Sequence, residues 1–129
     1  MVCADTDFII DLGRANQKAF EKLKEIGARG ENVFTTVITV AELYHGAHLA
    51  KDRVQALDQI RNDLSKFSVL NLDYESAALW GELVEQTKPN SIGELDLLIA
   101  CIALSNKQTL LTKNIKHFQR IPGLKIESW

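Results

Sequence analysis

The chain has 129 residues, 46% of them hydrophobic and 25% charged, proportions that suit one soluble domain with its own core and exclude a disordered segment. Fifteen Lys and Arg against 17 Asp and Glu leave a formal charge of −2; the general positive field of a nonspecific nucleic-acid binder is absent, and any contact with RNA or DNA must be local or metal-assisted. No apolar run is long enough to cross a bilayer, the N-terminus lacks a basic-then-apolar leader, and Cys3 and Cys101 sit in apolar segments as reduced core residues do, so a cytoplasmic protein is expected.

In chain order, residues 2–4 read as a short buried strand followed by polar turn residues that include Asp5 and Asp7. Residues 16–28 place Ala19, Phe20, Leu23 and Ile26 on one helical face, and 33–36 form a second strand. Residues 37–49 carry Val40, Leu43, Tyr44 and Ala47 at helical spacing, and 51–66 repeat the pattern with Val54, Leu57, Ile60 and Leu64. A strand over 69–72 precedes Asp73, which caps a helix running from about Tyr74 until Pro89 stops the next segment. Ser91 then opens the helix that holds Asp96, residues 109–112 form another strand, and 124–126 form a short last one. No repeat or linker divides the chain. Residues 1–129 are therefore expected to form one α/β domain, with helices covering both faces of a mostly parallel sheet.

In open sheets of this kind chemistry collects beyond the carboxyl ends of the strands. Asp5 and Asp7 follow the first strand, Asn114 follows the strand over 109–112, and Glu42 and Asp96 lie in the N-terminal halves of helices that can begin at the same edge. Most of these residues have an ordinary structural explanation too. Asp5 and Asp7 suit a turn, and Thr39 with Glu42 and Ser91 with Glu94 both fit the S/T-x-x-E pattern of a helix start. In an extended segment residues two apart share a side, which would turn Asp5 and Asp7 toward one cavity. Asp96 has no such explanation: in GELDLLIACIAL it lies past the cap positions among Leu95, Leu97, Leu98 and Ile99, where an unpaired carboxylate is costly.

Asp5, Glu42 and Asp96 gathered at one edge make an oxygen-only site, which suits Mg²⁺ or Mn²⁺ rather than zinc, and such a cation would be the partner that Asp96 needs. The sequence contains no P-loop, G-x-G-x-x-G, G-x-S-x-G or paired C-x-x-C. Glu42 with His45 matches one Glu-x-x-His element of a carboxylate-bridged iron bundle, but that architecture needs two; His45 and His48 read as surface residues.

Taken together, ADTDFI, TTVITVAELYHGA, IGELDLLIACIAL, LLTKN and the ending HFQRIPGLKIESW resemble the PIN-domain ribonucleases, in particular the VapC-type toxins of prokaryotic toxin–antitoxin pairs. The resemblance spans essentially the whole chain. It implies an α/β/α sandwich whose acidic residues bind Mg²⁺ or Mn²⁺ and cut RNA, usually as a homodimer, with a small cognate antitoxin blocking the site. The family's first Asp falls on Asp5, its Glu on Glu42 and its third acid on Asp96; Thr6 and Thr112 match hydroxyl residues of the pattern. The fourth position, often acidic, is Asn114 here, a departure that bears on whether a second metal binds. Asp7 stands where the family often has Asn or Ser and would return the missing charge.

The reaction so implied is hydrolysis of an RNA phosphodiester by a metal-activated water, with Asp5 and Asp96 as direct ligands and Glu42 binding through water or orienting the nucleophile. Arg14, Lys113, Lys116, His117 and Arg120 are the local cations available to the substrate strand. Two rivals share this size and acidity: a signalling receiver domain, which needs a phosphoacceptor Asp ending a central strand, and a catalytically inactive PIN-fold module that only binds a partner protein.

Overall fold

A computed structural model describes residues 1–88 and 92–129. Five short strands, β1 (Val2–Ala4), β2 (Val33–Thr36), β3 (Ser68–Leu70), β4 (Thr109–Leu111) and β5 (Ile126–Glu127), form one sheet in the order β3-β2-β1-β4-β5. Every pairing is parallel, with Val2 opposite both Val33 and Thr109. β1 is buried throughout, as a central strand covered on both faces must be. Its side chains alternate between two cores. Cys3 joins Ile99, Ala103, Leu110 and Phe118 on one face; Val2 and Ala4 join Phe8, Ile26, Leu43 and Leu111 on the other. That alternation is the α/β/α sandwich seen from its middle layer.

The helices are α1 (Thr6–Gly13), α2 (Gln17–Ala28), α3 (Val37–Leu49), α4 (Arg53–Leu64), α5 (Tyr74–Gln86), α6 (Glu94–Ser105) and α7 (Ile115–Phe118). Side chains of the residue before each start several of them: Asn16 accepts from the Ala19 N–H, Thr36 from Thr39, Asp52 from Gln55 and Asp73 from Ser76, at 2.8–3.1 Å. Among the described residues, no helix is long and apolar enough to cross a membrane. Cys3 and Cys101 are buried free thiols.

Several sequence expectations need correction. Residues 6–13 are a helix rather than turn, because Phe8, Ile9 and Leu12 present an apolar face to the core that outweighs the polar start. Asp5 and Asp7 accordingly do not share an extended segment. The third strand is Ser68–Leu70, its register fixed by pairing with Phe34, Thr35 and Thr36, and the last is Ile126–Glu127, paired with Leu110 and Leu111. Phe20 and Val54, expected on apolar faces, are exposed. Helix α3 is capped by Thr36, so Thr39 and Glu42 form no capping box. Helix α6 follows Gly93, which makes Asp96 its third residue, inside the first turn; Pro89 and Ser91 lie outside the described residues.

Candidate active site

The carboxyl ends of β1, β2 and β4 converge on one edge, and the residues that follow them carry the acids. Asp5 leaves β1 directly and is 5% exposed. Its N–H donates to the Leu111 carbonyl (2.9 Å), which pins the chain crossing from strand to helix. Both carboxylate oxygens are used: Oδ1 accepts from the Thr6 N–H at 2.7 Å, and Oδ2 accepts from the fully buried Thr112 hydroxyl at 2.8 Å. The Thr112 oxygen in turn accepts from the Asn114 N–H at 3.0 Å. Despite these bonds, burial pushes the Asp5 carboxyl up from 3.8 to about 6, and the neighbouring charges of Asp96 and Asp7 push the same way.

Glu42 approaches from α3. Thr6 donates its hydroxyl proton to Glu42 Oε1 at 2.7 Å and lies 3.1 Å from the Thr39 hydroxyl, which lies 3.4 Å from that of Thr36. A hydroxyl has one proton, so Thr6, having given its own to Glu42, must accept from Thr39. A line of threonine hydroxyls thus ends on the Glu42 carboxylate. Sequence reasoning missed Thr36 and Thr39 in this role, although Thr36, Thr39 and Glu42 recur at three-residue spacing.

Asp96 is half-buried at the start of α6, where burial raises its carboxyl pKa, His117 opposes the rise, and Asp7 adds to it. His117 Nδ1 stands 3.8 Å from Asp96 Oδ2, an ion-pair distance rather than a hydrogen bond, and 2.9 Å from Asn114 Nδ2. Asp7 itself is exposed. Asp5, Thr6, Glu42, Asp96, Thr112 and Asn114 therefore meet at one edge.

The expected cations are dispersed. Arg14 lines a groove of about 340 Å³ between α1, α3 and α4 that also reaches Thr6 and Glu42. Lys116 and Arg120 are exposed. Lys113 is paired with Asp11 at 2.6 Å.

Among the described residues, no three His, Cys, Asp or Glu side chains close into a group able to hold a metal ion. The donor set nevertheless fits a hard divalent cation. Mg²⁺ keeps several waters and takes only one or two carboxylates, and every acid at this edge offers oxygen. Asp5 accepts two hydrogen bonds from neutral donors and is still raised by burial and by the charges of Asp96 and Asp7, so a cation beside it would favour its ionised form.

A model of the PIN domain matches residues 2–124. Ribonuclease VapC2 of Rickettsia felis is 29% identical over 127 residues, covering 97% of this chain and 95% of its own. The tRNA(fMet)-specific endonuclease VapC of Salmonella typhimurium is 32% identical over 94 residues, 71% of each chain. The crystal structure of VapBC2 from Rickettsia felis bound to a DNA fragment from their promoter superposes with a TM-score of 0.91 at 28% identity, covering 100% of this chain and 99% of that one.

Proposed function

Because the chain belongs to the PIN-domain family, we propose that it is a Mg²⁺- or Mn²⁺-dependent endoribonuclease that hydrolyses RNA phosphodiester bonds as the toxin of a toxin–antitoxin pair. The observation that carries this reading is Asp5, a buried carboxylate that accepts from the Thr6 N–H and the Thr112 hydroxyl and feels the charge of Asp96, in a chain that matches a ribonuclease over nearly its full length. A receiver domain is excluded by the family. An inactive binding module is disfavoured, since Asp5, Glu42 and Asp96 stand at the positions where the family resemblance implies acids.

Asp5 and Asp96 would hold the cation. When bound, it supplies the positive charge that makes a water acidic and offsets charge on the phosphate. The remaining work falls to the chain. Thr112 and the Thr6 N–H fix the Asp5 carboxylate, and Thr6, backed by Thr39, holds Glu42, which is available to orient the attacking water. Asn114 offers a neutral amide in place of a fourth acid, so one cation suffices for this reading. The water oxygen bonds to phosphorus, the P–O bond to the departing strand breaks, and the water's proton leaves with that strand or to solvent.

A small antitoxin with a basic or apolar segment would suit the acidic edge and the groove beside Thr6 and Glu42, and a homodimer is the expected assembly. Defined RNAs incubated with Mn²⁺, Mg²⁺ or EDTA test the activity. Cleavage with either ion and none in EDTA is expected, and full cleavage by metal-stripped protein defeats the mechanism. Co-purification with the product of a neighbouring reading frame tests the partner, and light scattering of the purified chain tests the dimer.

A further inference from the structure

Three segments far apart in sequence meet around Lys113. Its Nζ lies 2.6 Å from Asp11 Oδ2 and 5.0 Å from the centre of the Trp129 ring. Trp129 Nε1 donates to the same Asp11 oxygen at 3.0 Å, and its ring packs edge-on against Phe8 with centroids 5.0 Å apart. Phe8 is fully buried in α1. Lys113 also sits between Thr112 and Asn114, the loop tied to Asp5 through the Thr112 hydroxyl. The loop is thus fixed on one side by the acidic edge and on the other by Asp11 and Trp129.

Resting on the ribonuclease reading, we propose that Asp11 and Trp129 are positioning residues that hold Lys113 beside the acidic edge as a contact for the phosphate backbone of single-stranded RNA. An ammonium has three N–H donors, of which Asp11 takes one. The ring face attracts the cation without using a donor. Lys113 remains 46% exposed while Asp11 is only 19% exposed, so the lysine has donors open to a ligand and its anchor is largely covered. A free lysine would lose its rotamer freedom on meeting a phosphate, whereas a clasped one has lost it already, and affinity gains by that difference. The bonds from Lys113 and Trp129 hold the Asp11 carboxyl below the ordinary carboxylate range, which keeps the anchor ionised.

The test combines fluorescence anisotropy of a labelled phosphorothioate-linked single-stranded RNA, which resists cleavage, with steady-state cleavage of the ordinary RNA, both in Mn²⁺. Lys113→Met should raise Kd and KM and reduce the slope of log affinity against log salt by about 0.7, one phosphate contact on a single strand. Asp11→Asn should raise Kd and KM about fivefold with kcat unchanged. Trp129→Phe, which keeps the ring and loses the donor to Asp11, should fall between it and wild type. The decisive comparison is Asp11→Asn placed in Lys113→Met, where no further loss is expected because Asp11 acts through the lysine. Equal losses in both backgrounds would make Asp11 a structural residue and overturn the inference. Tighter RNA binding by Asp11→Asn would overturn it too, since Asp11 would then be masking the lysine. Should Asp11→Asn melt far below wild type, Trp129→Phe carries the same cycle. Binding without cleavage sinks the ribonuclease reading and leaves the clasp to the binding cycle; no binding by wild type overturns both.

Discussion

Asp5 and Glu127 stand at nearly the same level of one sheet, Asp5 bonded to the carbonyl of Leu111 and Glu127 paired with Leu111 in register. Their carboxyls are driven in opposite directions. Glu127 accepts a two-pronged pair of bonds from Arg29 at 2.8 and 3.0 Å and another from Lys22 at 3.1 Å, and those cations draw its pKa from 4.5 to about 2. Asp5 receives only neutral donors, and burial raises it to about 6. The outer strand has its charge satisfied by the protein's own cations. The central strand leaves charge for something from outside to satisfy, which is how a site built for a ligand differs from one built for stability.

The strongest way to break this contrast is to remove the acids. Asp5→Asn and Asp96→Asn should each lower RNA cleavage in Mn²⁺ by at least about 100-fold, the scale of losing a main electrostatic contact in an active site. Their effect on the metal-free fold should have the other sign. In EDTA Asp96→Asn should be as stable as wild type or more so, by up to about 1 kcal/mol, because it relieves a like-charge cluster and keeps the side-chain shape. Thermal unfolding with and without Mn²⁺ checks this, with wild type gaining more from the ion than the variant does. An Asp96→Asn protein that melts far below wild type in EDTA would make Asp96 structural.

A pH titration sharpens the same contrast. The Asp5 pKa in the fold lies above its value in the unfolded chain, so the native state keeps that proton longer and stability falls as pH rises from about 3.8 to about 6. The loss should amount to about 2 kcal/mol in EDTA and shrink when Mn²⁺ is present. Denaturant unfolding at pH 4.5 and 7 measures it. A metal-free protein whose stability does not change across that window, in wild type and in Asp5→Asn alike, would mean the edge carries no strain.

Next in size is the threonine line. Thr39→Val keeps the volume and removes the hydroxyl that Thr6 must accept from, leaving Glu42 less firmly held. Supporting residues of this kind cost about 10-fold when lost, so kcat should fall by that much while KM stays near wild type. Thr39→Ser should restore most of the rate. No rescue by serine would assign the loss to packing.

The sequence made one side of this comparison far more legible than the other. Asp5, Glu42 and Asp96 could be gathered at one edge because each lies next to a strand end or a helix start, and order along the chain places those ends together in a parallel sheet. The helix after Asp5 is hard to read locally because eight residues beginning Thr-Asp look like a turn, and only the core shows that Phe8 and Ile9 share a buried face. Thr39 and Glu42 fit the helix-start pattern by spacing alone, whereas β2 runs straight into α3 and Thr36 caps it, which leaves the Thr39 hydroxyl to Thr6. Pairs such as Asp11 with Lys113 and Arg29 with Glu127 join residues about a hundred positions apart, and no local pattern announces them.

Glu127 gives the smallest and most diagnostic effect. Its pKa in the fold lies below the unfolded value, so its contribution is complete above about pH 4.5 and is lost as the pH falls toward about 2. That is the opposite sign from Asp5 in an adjoining window, so the metal-free protein should be most stable near the boundary between them. Glu127→Gln keeps the shape but gives Arg29 and Lys22 a neutral partner, and both cations retain Glu25 as an alternative. With the carboxylate 25% exposed, solvent screens much of the interaction, and a loss of about 1 kcal/mol, or about 3 to 5 °C, is expected at pH 7. RNA cleavage should not change, because β5 reaches the acidic edge only through the Glu127 backbone carbonyl, which accepts from the Thr112 N–H at 3.0 Å and is kept in Glu127→Gln. A variant that melts as wild type does at pH 7 would show the ion network to be solvated surface, and one that loses cleavage would show that the outer strand and the acidic edge are not independent.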